Sequence, residues 1–229
     1  MNTEYRMKTR IWIAGTIALC ALAAAASRGA EGMTRLDASP GKDMKVRLEG
    51  TSTIHDWQAE GTIISGFLEV GPGFPLTPGQ SVTPGKVPVH AEAFIPVRSL
   101  KSIEKDGSPY SEKMDAFMYE DLKSPPNLRI IFRVSELTLK EAPKAPDAPY
   151  VFEAKGELVV AGVTNTISFP VNVTPLGDQK FKVTGSTSLK MTDFHIKPRT
   201  LIGILSTGDD VKIQFVWPLI QKKPEGTTK

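Results

Sequence analysis

Residues 150–160 read YVFEAKGELVV, with apolar and polar side chains alternating at a period of two. Successive side chains of a strand point to opposite faces, so this segment has one apolar face and one polar face. The same alternation returns in residues 167–173, 181–191 and 211–217, and Gly, Asn or Asp occurs in the turns between them. Four consecutive strands of this kind predict an antiparallel sheet that curls over an apolar interior.

Four earlier segments raise the predicted number of strands to eight. Residues 44–48, 87–97 and 128–134 alternate in the same way, and residues 57–70 form one long strand whose glycines permit a bend. Closing eight antiparallel strands into a barrel leaves no exposed edge, so the pattern predicts an all-β fold built on a closed barrel. The interior of such a barrel can be packed solid or can hold one slender ligand.

One short amphipathic helix is predicted between the third and fourth strands. Ser108 can cap it, Pro109 suits its first position, and Pro125 and Pro126 lie beyond its end at Leu122. Its apolar residues recur at helical spacing, so they must pack on the sheet or cover an opening of the barrel. These residues are Tyr110, Met114, Phe117, Met118 and Leu122.

Two proline-rich stretches connect strands. They are residues 71–88 and residues 141–149, the second of which reads EAPKAPDAP. Proline supplies no N–H to a strand ladder, so both stretches are expected to be exposed and irregular or polyproline-like. Strands of one kind flank both stretches, so neither is expected to mark a domain boundary.

The N-terminal residues predict a secretory signal peptide. Three basic residues precede an uncharged run over residues 11–26, and two alanines suit a cleavage before Ser27. Residues 1–30 are therefore assigned to a signal peptide and spacer, and residues 31–229 to a single domain. Such a leader predicts a periplasmic or otherwise extracytoplasmic location.

Composition excludes some classes of partner. The one cysteine, Cys20, lies in the leader, so an exported domain has to be stable without disulfides. Removing the leader, with its three basic residues and Glu4, lowers the formal net charge from +3 to +1. No run of Lys and Arg stands out in the remainder, so nucleic acid is not an expected partner.

A series of short motifs, in order along residues 44–220, resembles the YceI-like family of exported proteins. The motifs are GTSTIHDW at 50–57, KMD at 113–115 leading through MY at 118–119 to IIF at 130–132, GEL at 156–158, GVT at 162–164, DF at 193–194 and GDDV at 208–211. The resemblance implies an eight-stranded, lipocalin-like barrel with a long isoprenoid chain inside it. Two departures are His195, where the family usually has Gly, and the longer stretch 71–88.

The apolar strand faces and the helix together predict the residues that line a ligand-binding cavity. They are Leu48, Trp57, Ala91, Met114, Phe117, Met118, Ile130, Phe132, Leu158, Phe169, Phe181, Val183, Ile213 and Phe215. The resemblance implies that this cavity carries or sequesters a polyisoprenoid or an isoprenoid quinone without catalysis. No other cofactor is expected; the apolar lipid is the expected partner, and transient contact with a membrane or with envelope proteins is compatible with it.

Two other functions are compatible with the residues. The first is an enzyme or metal protein that uses His55, Asp56 and His195, since a histidine beside a carboxylate can act as a general base or a ligand. Neighbours on a strand point to opposite faces, however, which favours a structural role for His55 and Asp56. His90 has the parity of an outward side chain. The second alternative is a solid-cored barrel that acts through its surface in an envelope complex.

Overall fold

The computed structural model describes residues 32–145, 147–201 and 205–222. The predicted signal peptide therefore lies outside the described residues, and the division into residues 1–30 and 31–229 stays a prediction. The strands, in chain order, are β1 (Thr34–Ala38), β2 (Lys45–Ser52), β3 (Trp57–Gly61), β4 (Ser65–Val70), β5 (Gly85–Val87), β6 (Val89–Pro96), β7 (Lys101–Ile103), β8 (Arg129–Glu141), β9 (Tyr150–Val160), β10 (Val163–Gly177), β11 (Lys180–Lys190), β12 (Thr200–Leu201) and β13 (Leu205–Gln221). One α-helix, α1 (Glu112–Asp121), lies between β7 and β8.

Eleven of these strands form eight positions around a closed antiparallel barrel, while the short strands β5 and β12 pair with β8 and β13. Strands β1 and β2 share the first position, β3 and β4 the second, and β6 and β7 the third, because each pair is one strand interrupted by a bend. The long strand β13 pairs with β11 along one edge and with β2 and then β1 along the other, which closes the ring. The predicted fold class, an eight-stranded antiparallel barrel with one helix, is confirmed.

The bend predicted within residues 57–70 separates β3 from β4. Gly66 has φ = +127°, a conformation that residues with a Cβ rarely adopt. A Cβ at Gly66 would also collide with the backbone carbonyl of Glu92 on the neighbouring strand. Gly66 therefore allows β4 and β6 to pair closely just after the chain has turned.

The register places the predicted apolar faces on the inside. Phe132 lies opposite Leu158, Phe169 opposite Ala154, and partners in a ladder point to the same side of the sheet. Polar partners, by contrast, meet on the outer wall, as in the Arg133–Glu92 ion pair of 2.8 Å. The period-two pattern therefore predicts correctly which side chains face the interior.

An aromatic plug, formed by Phe74, Phe152 and Phe181, closes one end of the barrel. Phe74 belongs to the stretch 71–88, and only 3% of it is exposed. Its ring stacks on Phe152 with centroids 5.6 Å apart and lies 6.4 Å from the ring of Phe181. The prediction of an exposed, irregular 71–88 stretch was therefore wrong for Phe74 and Pro75, because this connector fills the end of the barrel, and for Gly85–Val87, which form β5. The described residues of 141–149 are mainly exposed, as predicted.

Helix α1 begins later than predicted. Ser111 is its N-cap, whereas Ser108 donates its backbone N–H and its hydroxyl to Asp106 in a turn. Pro109 then pairs with Ile103 as an isolated bridge. The serine hydroxyl satisfies a turn rather than a helix end, which is the usual competition for such side chains. Among the described residues, no helix has the length and apolar character needed to cross a membrane.

Candidate functional site

An apolar cavity of about 990 Å³ occupies the interior of the barrel. All eight strand positions contribute inward-facing side chains to its wall. The wall extends from Val183 near the aromatic plug to Met191 at the opposite end, which is about 27 Å along that strand. Its charged lining residues, within the described part of the chain, all belong to the end away from the plug, which we call the mouth. The cavity is therefore long and apolar, and polar residues surround its mouth.

Thirteen of the fourteen residues predicted to line the cavity lie at its wall. On the strands these are Leu48, Trp57, Ala91, Ile130, Phe132, Leu158, Phe169, Val183, Ile213 and Phe215, and on α1 they are Met114, Phe117 and Met118. The interior is thus not packed solid, contrary to the hypothesis of a solid-cored barrel. That these residues contact a ligand stays a prediction.

Phe181 is the exception. It points inward, like Val183 two residues along the same strand, but it is 1% exposed and lies in the aromatic plug beyond the floor of the cavity. A period of two reveals the face of a strand and not the depth along the barrel axis. The prediction that Phe181 lines the cavity was therefore wrong, and its packing against Phe74 is the reason.

The mouth contains residues that periodicity did not reveal. Phe194 and Ile196 line the cavity from the segment after β11, and Ile54 does so from the loop between β2 and β3. None of them lies on a regular strand, so no alternation marks them. The motif DF at 193–194 was the one available signal, and it came from the family resemblance.

Helix α1 covers part of the mouth with its apolar side. Met114 faces the cavity, and so do Phe117 and Met118 one turn later. The buried Asp115 and Tyr119 lie on another side of the helix and fasten it to the third strand position. The Tyr119 hydroxyl donates to the Leu100 carbonyl at 2.8 Å. The prediction that the helix covers an opening or packs on the sheet thus holds in both respects.

Asp115 is the main polar anchor of α1. Its Oδ1 accepts hydrogen bonds from the backbone N–H and the hydroxyl of Ser102 at 2.6 and 2.8 Å. Its Oδ2 lies 3.1 Å from Nζ of Lys101. Burial by itself would raise the pKa of Asp115, but these donors together lower the pKa below its ordinary value. The carboxylate is therefore held charged against the strand.

Arg199 holds the opposite side of α1. Its Nε donates to Asp121 Oδ2 at 2.7 Å, and its Nη2 donates to Glu120 Oε2 at 2.6 Å and to the Phe117 carbonyl at 3.2 Å. Its guanidinium also lies 4.5 Å from the centre of the Phe117 ring. Burial raises the pKa of Asp121 despite this ion pair, whereas the hydrogen bond to Asp121 raises the pKa of Arg199. One arginine thus joins α1 to the segment after β11.

The three histidines have different surroundings. His55 lines the mouth, and its Nδ1 is 2.9 Å from the backbone carbonyl of Asp56 rather than from the carboxylate. Its Nε2 is 3.4 Å from the hydroxyl of Tyr110. His90 lies on the outer wall, 2.9 Å from Glu69, as its parity predicts. Within the described residues, no three His, Cys, Asp or Glu side chains are grouped as a metal site would require.

His195 occupies a position that favours glycine. It follows the short 3₁₀ helix Thr192–Phe194 and has φ = +53° and ψ = +31°, which is the left-handed region. Its side chain is exposed. This geometry suits the glycine that the motif resemblance implies for the position, because glycine adopts that region without steric cost.

The closed barrel, the internal apolar cavity and the helix at its mouth define the class of lipocalin-like barrels. The chain belongs to the YceI-like family, since the model of the YceI-like domain matches residues 74–218. The resemblance inferred from the motifs is therefore confirmed, although the first motif, at 50–57, lies before the matched residues. No curated protein matches the chain.

Two solved structures have a similar fold. BcnA of Burkholderia cenocepacia superposes with a TM-score of 0.55 and 16% identity, over 80% of this chain and 99% of BcnA. A polyisoprenoid binding domain from Saccharophagus degradans, implicated in plant cell wall breakdown, gives a TM-score of 0.54 and 12% identity, over 82% and 98% of the two chains. At such low identity these matches show the fold alone.

Proposed function

We propose that the protein carries or sequesters a long apolar lipid, a polyisoprenoid or an isoprenoid quinone, inside the barrel and without catalysis. The observation that carries this proposal is the cavity of about 990 Å³, which is apolar along its length and polar at its mouth. A linear hydrocarbon chain with a small polar head group fits that distribution. The shared fold with a protein described as a polyisoprenoid binding domain supports the same ligand class.

The energetics of burial suit a carrier. Removing one methylene group from water is favourable by about 0.8 kcal/mol. A chain of several isoprene units therefore gains on the order of 15 kcal/mol, close to the limit of non-covalent affinity. The same chain is nearly as stable in a bilayer, so transfer between protein and membrane can be close to neutral. We propose transient contact with the membrane or with envelope proteins for that transfer.

Extracytoplasmic export forms part of the proposal. It rests on the basic residues and the uncharged run over residues 11–26. Fractionation of cells that express the full chain, followed by mass measurement of the protein, tests it. A cleaved protein in the periplasm or the medium is expected, and an intact protein in the cytoplasm would contradict export.

Organic extraction of the purified protein, followed by mass spectrometry, tests the ligand. A stoichiometric isoprenoid lipid is expected. Ile167→Trp should reduce the bound lipid, because Ile167 lines the cavity and the larger ring fills it. Thr166→Trp is the matched control, since Thr166 is the exposed neighbour that faces outward on the same strand. Equal lipid in both variants, or none in the unchanged protein, would contradict the carrier function.

A further inference from the structure

The cavity has a floor that separates it from the aromatic plug. Ala154 and Val183 line the cavity, whereas Phe152 and Phe181, two residues along the same strands, do not. Phe152 is 0% exposed and Phe181 is 1% exposed, so no open space separates them from their neighbours. The plug therefore lies one layer of side chains below the floor, and it ends the space open to a ligand.

The third ring of the plug comes from a connector instead of a barrel strand. Phe74 lies in the loop between β4 and β5, so it takes no part in the hydrogen-bonded ladders of the barrel. The Tyr150 hydroxyl donates to the Gln80 carbonyl at 2.6 Å, and Gln80 Oε1 accepts the backbone N–H of Leu76 at 2.8 Å. The backbone N–H of Gly71 donates to the Pro88 carbonyl at 2.9 Å. These bonds hold the loop, and hence Phe74, in place.

We propose that the aromatic plug sets the maximum length of the lipid chain, with Phe74 as the specificity-determining residue. This inference rests on the proposed function. A chain that reaches the floor cannot advance further, so any additional isoprene unit stays at the mouth or in the bilayer. Each unit that projects into water at the mouth lacks the burial that it has in the membrane, which shifts the partition of that lipid toward the bilayer by about tenfold or more. Chains longer than the cavity are thereby rejected.

Two variants move the limit in opposite directions. Phe74→Ala removes the ring that supports Phe152 and Phe181, so space opens below the floor and longer chains are expected to bind. Ala154→Leu adds a side chain at the floor, where Ala154 borders open space, so shorter chains are expected. Because Ala154→Leu leaves the plug intact, it tests the inference even if Phe74→Ala does not fold. Phe94→Ala is the control, since Phe94 lies on the outer wall beneath Arg129.

The experiment offers each protein vesicles that contain polyprenols of graded chain length. The protein is recovered, its lipid is extracted, and the distribution of bound lengths is measured by mass spectrometry. The expected result is a longest bound chain that is longer by at least one isoprene unit in Phe74→Ala, shorter in Ala154→Leu and unchanged in Phe94→Ala. If Phe74→Ala and Ala154→Leu both bind lipid with an unchanged maximum chain length, the plug does not set that length, and the carrier function still stands. Failure of the unchanged protein to take up any chain would overturn both.

Discussion

Nε of Arg199 and Oδ2 of Asp121 lie 2.7 Å apart across the mouth of the cavity, although 78 residues separate them in the chain. On the other side of α1, Asp115 and Tyr119 bond to the third strand position through the backbone. The helix is therefore fastened on one side by Asp115 and Tyr119, which bond to backbone groups, to the Ser102 hydroxyl and to Lys101, and on the other side by the single side chain of Arg199. We expect the side held by Arg199 to open first.

Arg199→Ala should accelerate the exchange of bound lipid with vesicles. Loss of hydrogen bonds between partly buried charged groups costs about 1–3 kcal/mol, which corresponds to a rate increase of about fivefold or more if opening limits exchange. Arg199→Lys should be intermediate, because an ammonium cannot reproduce the two-pronged geometry of guanidinium. Stopped-flow transfer of a fluorescent polyprenol measures the rate. Arg129→Ala, on the outer wall, is the control. Equal rates in all four proteins would contradict the idea that Arg199 holds α1 closed over the mouth.

Asp115→Ala should lower the free energy of unfolding by about 1–3 kcal/mol, because the Ser102 N–H loses its acceptor in a buried position. The pKa of Asp115 is lower in the folded than in the unfolded state. Its contribution is therefore complete above the unfolded pKa of about 3.9 and is lost as the pH falls through the lower native pKa. Denaturant unfolding between pH 6 and about pH 3 measures both effects. A variant whose loss of stability on acidification matches that of the unchanged protein would contradict this role.

Phe117→Asp should weaken lipid retention more than it weakens folding. Phe117 faces the cavity from α1 and packs beneath the guanidinium of Arg199, so a carboxylate there meets the apolar chain of the ligand. Retention is measured by extraction and mass spectrometry, and folding by thermal unfolding. Ala116→Asp is the matched control, because the neighbouring Ala116 is exposed. A Phe117→Asp protein that keeps its lipid would show that α1 does not contact the ligand.

His55→Ala and Asp56→Ala should lower stability while leaving lipid binding nearly intact. His55 bonds to the Asp56 backbone carbonyl and lies near Tyr110, so its described contacts organise the loop between β2 and β3. Thermal unfolding and lipid extraction measure the two properties. Loss of a hydrolytic or metal-dependent activity without loss of fold would instead favour the enzyme hypothesis.

The interior wall could be predicted from the sequence because strand parity is a local property. Ile213 and Phe215 point inward for the same reason that Lys212 and Gln214 point outward. Parity carries no information about depth, which is why Phe181 was placed at the wall when it belongs to the plug. The predicted face of Phe181 was right, but its predicted depth along the barrel axis was wrong.

The rest of the site depends on contacts between residues far apart in the chain. Phe74 lies in a proline-rich connector with no regular period, and its burial results from Phe152, 78 positions later. Arg199 lies in an irregular segment, and its role depends on where α1 is docked. Neither local propensity nor hydrophobic pattern encodes such pairings, so the plug and the link across the mouth could not be predicted.

Closure of the barrel joins β1 to β13, with Leu36 opposite Gln221. These residues are far apart in the chain, so this ladder closes a long loop, and pairings of that kind are slow to form. Until β13 docks, β1, β2 and β11 each present an open edge and the apolar interior faces water. Synthesis from the N-terminus supplies β13 after every other described strand. The half-built barrel is therefore the form of this protein that most needs protection from aggregation, and a ligand that binds the closed form favours completion of the ring.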